Sequence, residues 1–363
     1  MKIAHIMPMT SFYNRAFMEM IAKIDKKKIV HTFYITKMQE IPDMLYFSVN
    51  RLERIDTDLL VKLSNNFDYL FLHSFVYNLD IIRKHHLSTK LVWIIWGHDL
   101  NYFDNISLNN NPLKTIWRLY LKKQEYSVFK KMKAIGYCFP YDRITLKKRA
   151  VTKNVRPLQY PAIIGTNIID LIKETQNNCI KVMIGHSALS SLAHIDIIKK
   201  LEHLIDDDIK ISLPLGYGVN EYKQSIIDYL KYDYNGRYEF IEKMLTPVEY
   251  LEYLNTIDIC IINSDTQTAV GNVLVLAYIG KKLYFKKNSP LQKGLRMLGV
   301  TTYDIESLPN ISKAEFLSST KNSNIISKQA VEPLINNRII YQQWEYYLNS
   351  LLLCDNKLAH IKG

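Results

Sequence analysis

The side chains best placed for chemistry in this sequence lie where apolar runs stop. An apolar run over residues 180–184 ends in Gly185-His186-Ser187, and an apolar-periodic pattern then takes over at Leu192, Ile195 and Ile198. That succession predicts a strand, a tight turn and a helix. A glycine in such a turn lets the backbone approach a phosphate, while the helix N–H groups and dipole supply positive potential. The same turn also joins strand to helix in sheets that bind nothing. The loop Asn263-Ser264-Asp265-Thr266-Gln267-Thr268-Ala269-Val270-Gly271-Asn272 also follows an apolar run and leads into a helix. It fits a diphosphate cradle or a plain capping loop. Pro214-Leu215-Gly216-Tyr217-Gly218 offers backbone and a stacking ring to a base or sugar, or an ordinary turn. Glu242 could accept bonds from ribose hydroxyls, although a solvated charge is the commoner outcome. The candidate donor-binding set is therefore Gly185, Ser187, His194, Leu215, Gly216, Tyr217, Glu242, Gln267, Gly271 and Asn272.

The first half has its own candidates. An apolar run over residues 91–96 delivers Gly97-His98-Asp99 at its carboxyl end, where catalytic groups collect in α/β sheets. Asp99 is a candidate general base, or an orienter of His98 in that role; a helix-capping aspartate is the alternative. Asn14 and Arg15 open the first helix, where Arg15 can meet a phosphate or carboxylate. Asp99 and His98 are thus the catalytic candidates, and Asn14, Arg15, Trp96 and Gly97 the acceptor-binding ones. Asp56-Thr57-Asp58 has a metal-binding look but precedes a helical run and more plausibly caps it; Asp206-Asp207-Asp208 reads as a solvated turn. No catalytic metal and no cofactor are expected, the diphosphate charge being met by helix ends and basic side chains.

These loops need strands and helices in alternation to hold them. Strand patterns fall at residues 2–7, 30–36, 69–74, 91–96 and 133–138, and again at 179–184, 210–213, 238–241, 258–263 and 282–285, with helical patterns between. Alternation of this kind implies parallel sheets covered by helices. Between the two series, Pro157, Pro161, Gly165 and an Asn-rich end mark a linker. The expected organisation is residues 1–160 as an acceptor-binding, membrane-facing Rossmann-like domain and 161–178 as a linker. Residues 179–327 follow as a nucleotide-sugar-binding Rossmann-like domain, and 328–363 as a helical tail. Two such domains facing across a cleft give an α/β chain of the GT-B class, a layout shared with binding proteins and some epimerases.

Composition narrows the class. The chain of 363 residues is 48% hydrophobic, which is globular rather than disordered. Four scattered cysteines without a C-x-x-C pair read as reduced core residues. The amino-terminal apolar run is too short for a secretory signal, and no run reaches the length of a membrane span. Residues 1–165 hold 26 basic against 13 acidic side chains, and 113–156 alone hold 13 against 2. Within that patch, residues 113–134 read as a basic amphipathic helix with Trp117, Leu121, Val128 and Met132 on a core face, which suits an anionic membrane surface. No nucleic-acid-reading motif is present, so nucleic acid is not an expected partner.

Taken together, Asn14-Arg15, IWGHDL (95–100), Gly185-His186-Ser187 with His194, LPLGYG (213–218), Glu242-Lys243, Tyr250-Leu251 and the 267–272 loop resemble glycosyltransferase family 56. These are the TDP-4-acetamido-4,6-dideoxygalactose transferases, also called 4-α-L-fucosyltransferases. The resemblance runs over about residues 1 to 300, and its specificity lies in the set rather than in any one motif. It implies a GT-B fold, a dTDP-sugar donor in the carboxyl-terminal domain and a polyprenyl-diphosphate-linked glycan acceptor. It also implies peripheral attachment to the cytoplasmic face of the bacterial inner membrane. The alternatives are a transferase using a UDP- or GDP-sugar and another acceptor, or a non-enzymatic nucleic-acid- or membrane-binding protein.

Overall fold

The computed structural model describes residues 1–7, 12–36, 48–52, 57–74, 82, 84–97, 100, 116, 119–120, 127–148, 154–172, 179–231, 236–318 and 321–362. The chain divides into two compact units, Met1–Ile163 with Asn337–Gly363, and Ile164–Asn336.

The first unit is built on a parallel sheet of β1 (Lys2–Met7), β2 (Val30–Thr36), β3 (Ser48–Leu52), β4 (Tyr69–His73), β5 (Leu91–Ile94), β6 (Ala134–Tyr137) and β7 (Val155–Pro157). Its spatial order is β3-β2-β1-β4-β5-β6-β7. Helices α1 (Phe12–Ile21), α2 (Thr57–Asn66) and α3 (Pro140–Lys148) belong to it. A parallel strand covered on both faces must be apolar on both, and β4 and β5 are buried at every position. Side chains alternate between two cores: Phe33, Phe71 and Phe17 on one side, Leu70, Leu72, Trp93 and Phe129 on the other.

The second unit repeats the plan with β8 (Ile180–Ile184), β9 (Ile209–Pro214), β10 (Tyr238–Ile241), β11 (Ile259–Ile262), β12 (Lys282–Phe285) and β13 (Tyr303–Asp304). All are parallel, in the order β10-β9-β8-β11-β12-β13. Helices α4 (His194–Leu201), α5 (Asn220–Leu230), α6 (Pro247–Thr256), α7 (Val270–Tyr278), α8 (Pro290–Leu298) and α9 (Lys321–Ile335) belong to it, with shorter helices at Thr166–Ile169 and Lys313–Leu317. The helix starts follow local chemistry. Thr246 and Glu249 form a reciprocal capping box ahead of Pro247, and Ser289 caps Gln292 ahead of Pro290.

Two features depart from the sequence expectation. Strands β3, β7 and β13 had no counterpart in the predicted series; each lies at a sheet edge. Edge strands need one ladder partner and tolerate polar residues and proline, so Val155-Arg156-Pro157 resembled a linker. The segment expected as one tail over 328–363 divides between α9 and α10 (Asn337–Lys362), and the two helices fall in different units. Ile340, Trp344, Tyr347, Leu348 and Leu351 of α10 are buried in the core of the first unit, which makes this helix a structural layer rather than an appendage. Among the described residues no helix is long and apolar enough to cross a membrane.

Candidate functional site

In the second unit the chain leaves β8 toward β9 on one side and reaches β11 on the other, so the sheet order reverses between β8 and β11. Open α/β sheets bind ligands outside the carboxyl ends of the strands at such a reversal. The two loops that emerge there are 185–193 and 263–269, two of the stretches singled out by sequence.

Gly185 sits at φ +72° directly against the His194 imidazole: a Cβ on it would lie 2.3 Å from His194 Nε2. Only glycine allows that turn and that ring to coexist. His194, the first residue of α4, is fully buried, and its Nδ1 and its backbone N–H both face the Tyr222 hydroxyl of α5, at 3.3 and 3.2 Å. His186 is also buried, its Nε2 3.0 Å from Thr268 Oγ1, which ties the first loop to the second. Burial withholds solvation from the charged form and pulls both imidazoles down to about 4; for His194 the proximity of His186 adds to this. Both rings are therefore neutral near pH 7.

Each ring is satisfied on one nitrogen. His186 Nδ1, His194 Nε2 and the hydroxyl of the fully buried Ser187 have no hydrogen-bond partner among the described residues. An unsatisfied buried polar group costs about 1 to 3 kcal/mol. Three of them within ten residues of a strand end mark a place where a ligand can supply what the protein does not. The amino terminus of α7 adds to it: Ala269 caps it at φ +56°, and Gly271 lies exposed in its first turn. The first N–H groups of such a helix have no intrahelical acceptor and favour an anion.

The remaining donor candidates separate. Tyr217 is half-exposed, its ring edge-on to His186 with centroids 6.1 Å apart, as a stacking platform would be. Gly216 serves the fold, because a Cβ there would lie 2.6 Å from the carbonyl oxygen of Lys243. Ala188 and Val219 N–H groups bond to Tyr217 and Ala188 carbonyls, stitching the β8 and β9 loops together. Asn272 donates to the Tyr250 hydroxyl at 2.8 Å, and Gln267 lies half-buried in the same loop. Glu242 is exposed, 3.8 Å from Lys223. Leu215, just beyond β9, has its side chain in the core of the second unit and its N–H bonded to the Ile241 carbonyl.

In the first unit, Asn14 is buried on α1, whereas Arg15 is exposed and paired with Glu19 at 2.9 Å. Trp96 is half-buried just beyond β5, edge-on to Tyr160, and Gly97 follows at φ +86°. His98 and Asp99 lie outside the described residues, as do Trp117 and Leu121 of the basic stretch; Val128 and Met132 are in the core as expected.

Sequence reading missed a second histidine cluster. His5 on β1, His31 on β2 and His73 on β4 occupy adjacent strands and share one face. His5 Nδ1 is 3.0 Å from His73 Nε2 and His5 Nε2 is 2.8 Å from His31 Nδ1, while His73 Nδ1 meets the Tyr160 hydroxyl. Burial pulls His31 down to about 4, His73 to about 3, and His5 well below its ordinary value. The available signal was a histidine inside each of three strand patterns, and only the strand order brings them together.

Comparisons with known proteins agree with this architecture. The family model described as 4-alpha-L-fucosyltransferase glycosyl transferase group 56 matches residues 4–348. A search among curated protein sequences returns no match. Among solved structures, a glycosyltransferase from Rickettsia africae superposes with a TM-score of 0.68 at 11% identity, covering 97% of this chain and 98% of the other. HepE of Anabaena, in complex with UDP and glucose, gives 0.63 at 12% identity over 96% and 100%. Sucrose-phosphate synthase from Thermosynechococcus elongatus gives 0.62 at 12% over 97% and 99%. At these identities the likeness is one of fold, the GT-B fold.

Proposed function

The chain belongs to glycosyltransferase group 56, the 4-alpha-L-fucosyltransferase family, and is a glycosyltransferase; from that premise we propose which donor and acceptor it joins. The donor is a dTDP-sugar of the 4-acetamido-4,6-dideoxygalactose type, and the acceptor a polyprenyl-diphosphate-linked glycan of bacterial surface polysaccharide synthesis. The basic 113–156 stretch draws the protein to the anionic cytoplasmic face of the inner membrane. The observation that carries the donor assignment to the second unit is the trio of unpartnered buried polar atoms on His186, Ser187 and His194, at the reversal of that sheet.

The chemistry follows from the residues. The acceptor hydroxyl attacks the anomeric carbon, a new C–O bond forms, and the bond to the diphosphate breaks. Negative charge grows on the leaving diphosphate, and the free N–H groups at the start of α7 are oriented in advance to receive it. His186 and His194, kept neutral by burial, gain a reason to protonate beside a diphosphate. Tyr217 stacks on the base or sugar, and Asn272, held by Tyr250, stays in fixed orientation beside the α7 turn. Asn14, Arg15, Trp96 and Gly97 bind the acceptor; Asp99, with His98, serves as base or as orienter of the hydroxyl.

Thermal unfolding with dTDP, UDP, GDP and CMP tests the donor. A ligand at one hundred times its Kd stabilises the folded state by about 2.7 kcal/mol. A midpoint raised by dTDP alone is the expected result. A rise with UDP or GDP and none with dTDP would replace the donor, and no rise with any of them would sink the donor site.

A further inference from the structure

A single exposed apolar side chain is ordinary, whereas several gathered on one edge of a sheet are not. At the carboxyl edge of the second sheet, Leu189 after β8, Tyr217 and Val219 after β9, and Met244 and Val248 after β10 are all exposed. These three strands are neighbours, in the order β10-β9-β8. Their loops are fastened to one another through the backbone. Ala188 N–H donates to Tyr217 O at 2.7 Å and Val219 N–H to Ala188 O at 2.8 Å, which sets Leu189 beside Val219. Gly216 rests against the next peptide along: a Cβ on it would lie 2.6 Å from Lys243 O and 3.2 Å from Met244 N. Tyr217 and Met244 therefore leave the backbone at one close contact. The capping box of Thr246 and Glu249 holds the helix start in which Val248 sits. Hydrogen bonds thus fix the loops that carry the patch, and a preformed apolar surface of this kind suits a small ligand.

The unpartnered polar atoms of His186, Ser187 and His194 lie further along the same edge, where β8 meets β11, with the start of α7 beside them. From there to β10 the edge changes from polar and anion-favouring to apolar over two strand spacings, roughly 10 Å. Tyr217 marks the change, its ring edge-on to His186. A nucleoside diphosphate has the same polarity over a similar span, with the diphosphate at one end and a flat base at the other. With its diphosphate at α7, its base falls on the loops after β9 and β10. We propose that these loops hold the nucleobase of the donor, and that Met244 gives the site its preference for thymine by covering the 5-methyl group. The proposal rests on the donor-site reading above.

Thymine and uracil present the same hydrogen-bond donors and acceptors and differ only at C5, where thymine carries a methyl group. Polar contacts cannot tell them apart, so the choice falls to apolar contact at that edge. The Tyr217 ring offers a face, which accepts either base equally well. Met244 offers an unbranched, polarizable thioether that adapts its shape to a small apolar group. It is 66% exposed, the most open of the five, so it has room to close on a ligand and little packing to lose. Covering one methyl group is worth about fourfold in affinity.

Calorimetric titration of the full chain with dTDP and dUDP tests this, because the two ligands differ only in the 5-methyl group. The parent is expected to bind dTDP about fourfold more tightly than dUDP. Met244→Ser should bind the two alike, with its affinity for dUDP within about twofold of the parent's and its melting temperature unmoved. Met297→Ser, a change at an exposed methionine on α8 outside the patch, should keep the fourfold preference. A parent that binds both ligands equally, a preference that survives in Met244→Ser, or an equal loss for both ligands in that variant would overturn the role of Met244 and leave the donor site standing. A parent that binds no nucleoside diphosphate at all, UDP and GDP included, would remove the donor site and this proposal with it.

Discussion

Each unit of this protein buries a histidine cluster at its sheet, and the two clusters are finished differently. In the first unit three rings and a tyrosine use one another as partners, so that both nitrogens of His5 and of His73 are satisfied and His31 Nε2 alone of the six is without a partner among the described residues. In the second, His186 and His194 each hold one protein partner and leave one nitrogen open. Burial depresses all five imidazoles in the same direction, so a shifted pKa does not by itself distinguish a packed core histidine from one that faces a ligand. The distinction lies in the inventory of donors and acceptors. Rings that satisfy one another order the core, and several unpartnered polar atoms gathered at a strand end favour a ligand that can complete them.

Acid should act on both clusters at once, with the largest effect. A histidine held near pKa 4 in the folded protein and near 6.5 unfolded binds fewer protons when folded, so its contribution is full above about pH 6.5 and is lost as pH falls toward 4. Each such group is worth about 3 kcal/mol across that window, and several together are comparable with the stability of an ordinary domain, about 5 to 15 kcal/mol. Cooperative unfolding between pH 6.5 and 4 is expected by circular dichroism. Tryptophan fluorescence separates the units, since Trp93, Trp96, Trp117 and Trp344 all belong to the first. Far-UV signal retained at pH 4 with native fluorescence would break the comparison.

Gly185→Ala acts on the open cluster alone. The added methyl would meet His194 and impose a left-handed backbone on alanine, for a loss of about 2 to 3 kcal/mol. Nucleotide binding should weaken more than tenfold by calorimetry, with fluorescence unfolding of the first unit unmoved. Tyr217→Ala is the mildest change. Loss of one stacking ring should raise the donor KM about threefold to tenfold, with little change in melting temperature because the ring is half-exposed. A variant that binds donor as well as the parent would remove Tyr217 from the site.

What the sequence made legible tracks burial. The strands Lys2–Met7, Val30–Thr36 and Lys282–Phe285 have the bounds their residue pattern predicts, because runs rich in apolar, aromatic and β-branched residues between charged ones read as strands. The edge strands Ser48–Leu52 and Val155–Pro157 lack that signature and escaped notice. The turn at Gly185 was readable because strand, glycine and helix are contiguous. Leu215 was readable as a residue of the turn after β9, and the burial of its side chain was not. The His5, His31 and His73 chain depends on which strands are neighbours, and no local pattern records that. Asn272 illustrates a middle case, in which the residue was readable and its restraint by Tyr250 was not.

The placement of α10 has a consequence for how the protein is made. The sheet of the first unit is encoded before residue 163, yet the helix bearing Trp344 and Leu348 is translated only after the 173 residues of the second unit. At about 5 to 20 residues per second, the nascent sheet waits roughly 9 to 35 s with an apolar face uncovered. The second unit, contiguous in the chain, can fold during that interval. The first must remain soluble with part of its core still on the ribosome, and a ribosome stalled before residue 337 would release a client for chaperones instead of half an enzyme.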